Sequence, residues 1–181
     1  PKGRLSFYMG VDVARTGRDE TVYTIIGMDE NDHVFVEEVQ SESQSNIVDV
    51  AGKCGELSDK YRIETVYADE TGLGGGLIDL AREQDVPIRG ITFSLQEKAS
   101  MYKNLRLLFE NHRITMRQIN KMVFQLSYLR REYTETGVMK IKSYEHDDYP
   151  DSLALACKAA ASGAGWYVLD VGKGLKNAMG F

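Results

Sequence analysis

The 181-residue sequence predicts an α/β domain built on a mixed sheet flanked by helices. Three observations carry that prediction. The first third alternates apolar and polar residues with period two, as strands do. The turns between those strands are too short for parallel crossovers, so the neighbours are antiparallel. From residue 47 onward, strand-like segments alternate with segments of helical period, which packs helices onto a sheet. No internal repeat breaks the order.

Each element follows from its local pattern. In Leu5 to Val13, Leu5, Phe7, Met9, Val11 and Val13 alternate with Ser6, Tyr8, Gly10 and Asp12, so Asp12 projects opposite Val11 and Val13. A polar turn over Ala14 to Asp19 leads to a β-branched second strand, Thr21 to Met28, and Asp29 to Asp32 turns the chain into a third, His33 to Val39. Ile47, Val50, Ala51, Cys54, Leu57 and Tyr61 recur at three and four and mark a helix. Thr65 to Ala68 is a short strand ending at Asp69-Glu70, and the glycine run Gly72 to Gly76 opens a helix reaching Gln84. Pro87 to Phe93 is the next strand, and Ser94 caps a helix bearing Leu105, Leu108 and Phe109. After the short strand Ile114 to Met116, a helix carries Met122, Val123, Leu126, Leu129 and Tyr133; Val138 to Ile141 is a last strand. A final helix starts near Pro150 and runs through Leu153, Leu155, Ala156 and Ala159. Glycines from Gly163 to Gly180 mark residues 162–181 as a loosely ordered tail or linker.

With 43% hydrophobic and 27% charged residues and 3 prolines, the chain has a globular composition. Cys54 and Cys157 lie far apart, which argues against a zinc ribbon or disulfide framework and fits a reducing compartment. The longest apolar stretch, Leu153 to Leu169, is broken by Lys158 and glycines, so neither a membrane span nor a signal peptide is expected. The start at Pro1 suggests a piece of a longer protein. The net charge of −5 conceals a split: Lys98 to Lys142 holds ten Lys and Arg against Glu110, Glu132 and Glu135, leaving −12 elsewhere. That basic region can meet phosphates through Lys103, Arg106, Arg113, Arg117, Lys121, Arg130, Arg131 and Lys140, with little base readout. Charge runs also serve simply to solvate helix faces.

Acidic residues fall at three special places: Asp12 within a strand where Asp is depleted, Asp69 with Glu70 at a strand end, and Asp147, Asp148 and Asp151 around a helix start. If the first and fourth strands are neighbours, these carboxylates cluster, and a cluster of carboxylates shares protons or binds a cation. All-oxygen ligands suit Mg2+ or Mn2+, and two such ions support in-line phosphoryl displacement. Taken singly, Asp69 serves equally as a turn former, and Asp147 to Asp151 as helix caps. The glycine run lacks GxxxxGK[ST], and antiparallel strands precede it, so a tight turn beside Asp69 suits it better than a nucleotide cradle. His33 and His112 read as surface residues, whereas His146 precedes the acidic cluster and Lys98 follows a strand within reach of the same edge. Trp166 and Tyr167 read as cover for the core edge.

In order and placement these pieces resemble the nuclease domain of tailed-phage large terminases. Gly10-Val11-Asp12-Val13-Ala14 through Gly17 to Thr21 is similar to the first motif, and Tyr67-Ala68-Asp69-Glu70-Thr71-Gly72-Leu73-Gly74 to the second. Phe93-Ser94 with Lys98, and His146-Asp147-Asp148 followed by Ser152 to Ala156, are similar to the later ones, so the resemblance spans Leu5 to Ala161. It implies a ribonuclease H-like fold of the resolvase type over residues 1–161, and a metal-dependent endonuclease that cuts concatemeric double-stranded DNA to start and finish genome packaging. It implies that Asp12 bridges two Mg2+ or Mn2+ ions, that Asp69 binds one, and that Asp148 or, second in rank, Asp151 binds the other. Asp19 then supports from behind, with Glu70, Asp147, His146 and Lys98 nearby. The family's ATPase motor is expected outside this segment, with no nucleotide cofactor here, and its partners are the portal protein and small terminase subunit in the host-cell cytoplasm. Three other readings stay open: a Holliday-junction resolvase or transposase of the same fold, an actin-like nucleotide-binding domain, and a catalytically silent docking module.

Overall fold

The computed structural model describes residues 4–14, 20–43, 46–71 and 76–163. Its sheet has six strands: β1 (Ser6–Asp12), β2 (Glu20–Met28), β3 (Val34–Ser43), β4 (Thr65–Asp69), β5 (Ile88–Ile91) and β6 (Ile114–Met116). Their spatial order is β5-β4-β1-β2-β3-β6. The first three strands are antiparallel, while β4 runs parallel to β1, β5 to β4 and β6 to β3. The helices are α1 (Ile47–Tyr61), α2 (Gly76–Arg82), α3 (Leu95–Glu110), α4 (Asn120–Tyr128) and α5 (Asp148–Gly163). This is the mixed sheet flanked by helices that the sequence predicts, with three antiparallel strands followed by parallel ones.

Local signals set most boundaries. Asn46 caps α1 by accepting from the Val48 and Asp49 N–H groups at 2.9 and 3.0 Å, and Arg62 ends it in the left-handed region at φ 54°. Ser94 caps α3 through the Glu97 N–H at 3.1 Å. One expectation fails. Leu129 and Tyr133 do not continue a helix: Leu129–Tyr133 is strand β7, paired antiparallel with β8 (Met139–Ser143) in a separate hairpin. The spacing of Met122, Leu126, Leu129 and Tyr133 imitates a helical stripe, but α4 ends at Tyr128. In the hairpin Glu132 instead meets Lys140 at 3.2 Å and Lys142 at 3.6 Å, and such cross-strand pairs favour the strand.

Both faces of the sheet are covered. Met9 and Val11 of β1 and Val13 just beyond it pack with Val50, Ala51, Cys54 and Leu57 of α1 and with Leu77, Ile78 and Ala81 of α2. The opposite face meets α3, α4 and α5, with Leu153, Leu155, Ala156 and Ala159 buried there. The residues that alternate with the apolar set on β1 are therefore the seat of a helix and not a solvent face. Gly10 makes that seat possible: a Cβ there would lie 2.0 Å from the Ser152 carbonyl oxygen and 2.3 Å from the Ala156 nitrogen. Beside it, Thr24 and Ser152 hydroxyls bond at 2.7 Å in a fully buried pair, and Ser152 donates onward to the Tyr149 carbonyl at 2.9 Å. Among the described residues no helix is long and apolar enough to cross a membrane.

Candidate active site

Parallel pairing of β1 with β4 sends both strands the same way, so their C-terminal ends coincide. Val11 is in register with Ala68, which sets Asp12 and Asp69 side by side one step further on. Both share strand parity with Gly10 and Tyr67, and hence the face that α5 covers. Asp69 is 3% exposed, and its Oδ1 accepts the Thr71 N–H at 2.9 Å. The turn after it is tied to the end of β5, since Glu70 N–H donates to the Ile91 carbonyl at 3.1 Å and Phe93 N–H to Thr71 Oγ1 at 2.8 Å.

The close approach of α5 over Gly10 delivers the remaining acids. Asp148 and Asp151, three apart, fall on one side of its first turn. Asp12, Asp69, Asp147, Asp148 and Asp151 line one cavity of about 380 Å³, together with Lys98, His146, Glu145, Thr71, Phe93 and Val13. Lys98 on α3 donates to Asp147 Oδ2 at 2.7 Å and to Asp151 Oδ2 at 2.6 Å. Tyr102, one turn later, donates to Asp151 Oδ1 at 2.5 Å. Asp151, 4% exposed, thus has a donor on each oxygen.

Electrostatics follow from this crowding. Burial, then the charges of Asp151, Asp148 and Asp69, push the Asp12 carboxyl well above the usual carboxylate range, and Lys98 opposes them. Burial also raises Asp151 against the pull of Lys98. Burial alone would lower Lys98, but Asp151 and Asp147 outweigh it and hold the ammonium above its ordinary range. Cys54 and Cys157 are free, buried and pushed up to about 12 by burial, so neither is a ready nucleophile.

The fit to a cation lies in donor chemistry. The cavity offers carboxylate oxygens in excess over one lysine, and the repulsion that raises Asp12 is the kind a hard divalent ion relieves. Among the described residues, no three His, Cys, Asp or Glu side chains stand at the mutual spacing of a metal cluster. Asp151 is turned to Lys98 and Tyr102, and Asp69 Oδ1 to the Thr71 N–H.

The other sequence candidates divide. Glu70 turns away onto β5, where Oε1 accepts the Thr92 hydroxyl at 3.0 Å; a Cβ on Gly90 would fall 2.0 Å from its Oε2, so the glycine makes room for it. His33 bonds Thr115 Oγ1 at 2.7 Å, away from the cavity. Asp19, residues 72–75, Trp166, Tyr167 and the residues from 164 onward lie outside the described residues. Among the basic residues Arg113 is structural, donating to the Asn31 carbonyl at 2.7 Å and to Asp32 at 2.9 Å. Arg106, Lys121 and Lys140 pair with Glu110, Glu20 and Glu132, and Arg130 donates to the Ser127 and Leu129 carbonyls. Lys103, Arg117 and Arg131 are exposed and form no ion pair among the described residues. Tyr102 escapes sequence reading, although its place one turn beyond Lys98 was the available signal.

Comparison with known proteins places the fold. The family model of the terminase RNaseH-like domain matches residues 9–160. The large terminase nuclease of thermophilic phage G20c superposes with a TM-score of 0.74 at 22% identity, over 85% of this chain and 82% of that one. The same nuclease solved with bound magnesium also gives 0.74 at 22% identity, over 85% and 81%. The HK97 bacteriophage large terminase gives a TM-score of 0.71 at 11% identity, over 91% of this chain and 40% of that one. Curated protein sequences give no match.

Proposed function

The chain belongs to the terminase RNaseH-like domain family, and from that membership we propose that it is the metal-dependent DNA endonuclease domain of a viral packaging terminase large subunit. The observation that carries the proposal is the convergence of Asp12, Asp69 and Asp148 from β1, β4 and α5 on one anionic cavity. The nuclease takes in the expected residues 1–161 together with Ser162 and Gly163, which continue α5. An ATPase motor elsewhere in the protein, the portal protein and the small terminase subunit are its partners in the host cytoplasm. The HK97 large terminase, of which the match spans 40%, supports reading the domain as one part of a larger packaging enzyme. Its substrate is concatemeric double-stranded DNA, cut with little sequence specificity.

Asp12, Asp69 and Asp148 would hold the Mg2+ or Mn2+ ions, two by the family resemblance. The family resemblance ranks Asp148 ahead of Asp151, whose two oxygens accept hydrogen bonds from Lys98 and Tyr102. The magnesium-bound G20c nuclease supports the choice of cation. When bound, such ions activate a water and stabilise the leaving oxygen of a phosphodiester. The chain's own groups do the rest. Lys98 neutralises two of the crowding acids and fixes Asp151, while Asp147 and His146 border the cavity mouth. Lys103, Arg117 and Arg131 meet backbone phosphates, which carry no sequence information.

The test is cleavage of linear and branched duplex DNA with Mg2+ or Mn2+. Asp12→Asn is expected to lose at least about 100-fold in rate, as removal of a charge-stabilising group does, with an unchanged far-UV circular dichroism spectrum. Wild-type-like cleavage by that variant would overturn the proposal. Preference for a four-way junction over linear duplex would move the chain from packaging nuclease to resolvase.

A further inference from the structure

Asp147, Asp148 and Asp151 all sit in or beside the first turn of α5, so whatever fixes that turn fixes the acidic wall of the cavity. A helix begins with N–H groups that have no intrahelical partner. Asp147 precedes α5, and its carbonyl accepts the Asp151 N–H at 2.8 Å. Its carboxylate does not cap the turn but goes to Lys98 at 2.7 Å. Pro150 has no N–H to satisfy. The Tyr149 N–H is met from another helix: Gln125 of α4 accepts it through Oε1 at 2.9 Å, with both groups buried. Gln125 is a 7% exposed amide beside the fully buried Met122, a costly placement for a polar side chain without a task. Tyr149 is held at two more points, since its hydroxyl donates to Ser41 Oγ at 3.0 Å and Lys121 Nζ lies 5.6 Å over its ring.

We propose that Gln125 is a positioning residue of the active site: it caps α5 from outside and so fixes Asp148, the neighbour of Tyr149, at the cavity. The inference rests on the reading of Asp148 as a cation ligand. Without the Gln125 oxygen the buried Tyr149 N–H must find another acceptor. The Asp147 carboxylate, two residues back, is one such acceptor, and turning it toward the Tyr149 N–H would shift the first turn of α5 that carries Asp148.

Gln125→Met keeps the length and removes the acceptor; Gln125→Glu keeps an Oε acceptor. Two readouts apply to the full chain: exchange of the Tyr149 amide in chelator-treated protein by NMR, and Mn2+ affinity by calorimetry. Gln125→Met is expected to exchange that amide about 10-fold faster, the loss of one net hydrogen bond. It is also expected to bind Mn2+ about 10-fold more weakly, as for other residues that orient ligands. Gln125→Glu retains both values. Should Gln125→Met fail to fold, Gln125→Asn, one methylene shorter, asks the same question. Unchanged Tyr149 exchange overturns the cap, and faster exchange with unchanged Mn2+ affinity overturns its positioning role. Wild-type protein that binds no Mn2+ overturns the reading of Asp148 as a ligand, and with it the positioning role, while the exchange rates still judge the cap.

Discussion

The two faces of the sheet are buried by different means. Against α1 and α2, β1 and β4 present Met9, Val11, Val66 and Ala68, and the contact is hydrocarbon on hydrocarbon except at the end of α1, where Lys60 and Tyr61 bond Glu38 of β3. Against α5 the same strands present Tyr8, Gly10, Asp12, Tyr67 and Asp69, and directional bonds from β2, α3 and α4 fix α5 itself. These are Thr24 to Ser152, Gln125 to Tyr149, and Lys98 with Tyr102 to Asp151. Apolar burial is proportional to area and indifferent to small slides. Hydrogen bonds weaken steeply with distance and angle, so they fix a helix in rotation and in position along its axis. The cavity lies on the face where position is specified. One face makes the domain stable, and the other also makes it exact enough to bring carboxylates from three elements together.

Gly10→Ala is the most severe test of that contrast. Its new Cβ would meet backbone atoms at 2.0 and 2.3 Å, which no side-chain rotation can relieve. Helix α5 must lift off β1, so the expected loss exceeds the about 1–3 kcal/mol of ordinary overpacking, together with all Mn2+ binding. Urea unfolding and calorimetry would show it. A stable Gly10→Ala protein that still binds Mn2+ would mean that contact with α5 does not set the cavity.

Leu57→Ala probes the other face, where Leu57 is fully buried on α1. Truncating a core leucine costs about 2–5 kcal/mol. Here the expected cost falls on stability alone, and molecules that remain folded keep wild-type Mn2+ affinity. Reduced affinity at temperatures well below the unfolding transition would erase the distinction between the faces.

How much of this was legible in the sequence depends on the same distinction. Asp12 and Asp69 could be found because period-two alternation and a parallel neighbour fix their side and height with no further knowledge. Asp147, Asp148 and Asp151 announced themselves by clustering at a helix start. Tyr102 and Gln125 did not, since an aromatic or an amide on an amphipathic helix gains its role only from what the tertiary fold sets opposite it. Glu70 looked like a companion to Asp69, but adjacent strand residues point to opposite faces, and Gly90 gave it a seat on β5. The hairpin was missed because Leu129 and Tyr133 continue a 4-3-4 spacing by coincidence. Counting basic residues could not reveal that Arg113 is tied to Asp32 while Lys103 forms no ion pair among the described residues.

The smallest expected effect separates the faces by the sign of their response to pH. Glu38 on β3 accepts from Lys60 Nζ at 2.8 Å, from the Tyr61 hydroxyl and from Gln40 Nε2 at 2.6 Å, so it clamps the end of α1 to the sheet. The Lys60 and Tyr61 hydrogen bonds lower its carboxyl to about 2, from an ordinary 4.5. A depressed acid binds protons more weakly folded than unfolded. Its stabilisation is therefore complete above about 4.5 and is lost as pH falls toward about 2. Asp12 is raised, so its contribution has the opposite sign: it favours the fold in acid and is lost as pH rises. Lys60 is half exposed, and solvent screening limits the Glu38 clamp to about 1 kcal/mol or less, roughly 2–4 °C in Tm for a chain of this size. Melting curves of chelated protein from pH 3 to 8 are expected to show Glu38→Gln less stable than wild type at neutral pH, with the gap closing toward pH 3. Asp12→Asn is expected to be more stable than wild type at pH 8, with its gap closing in acid. Two gaps that close in the same direction would mean that α1 and α5 are held to the sheet by the same kind of force.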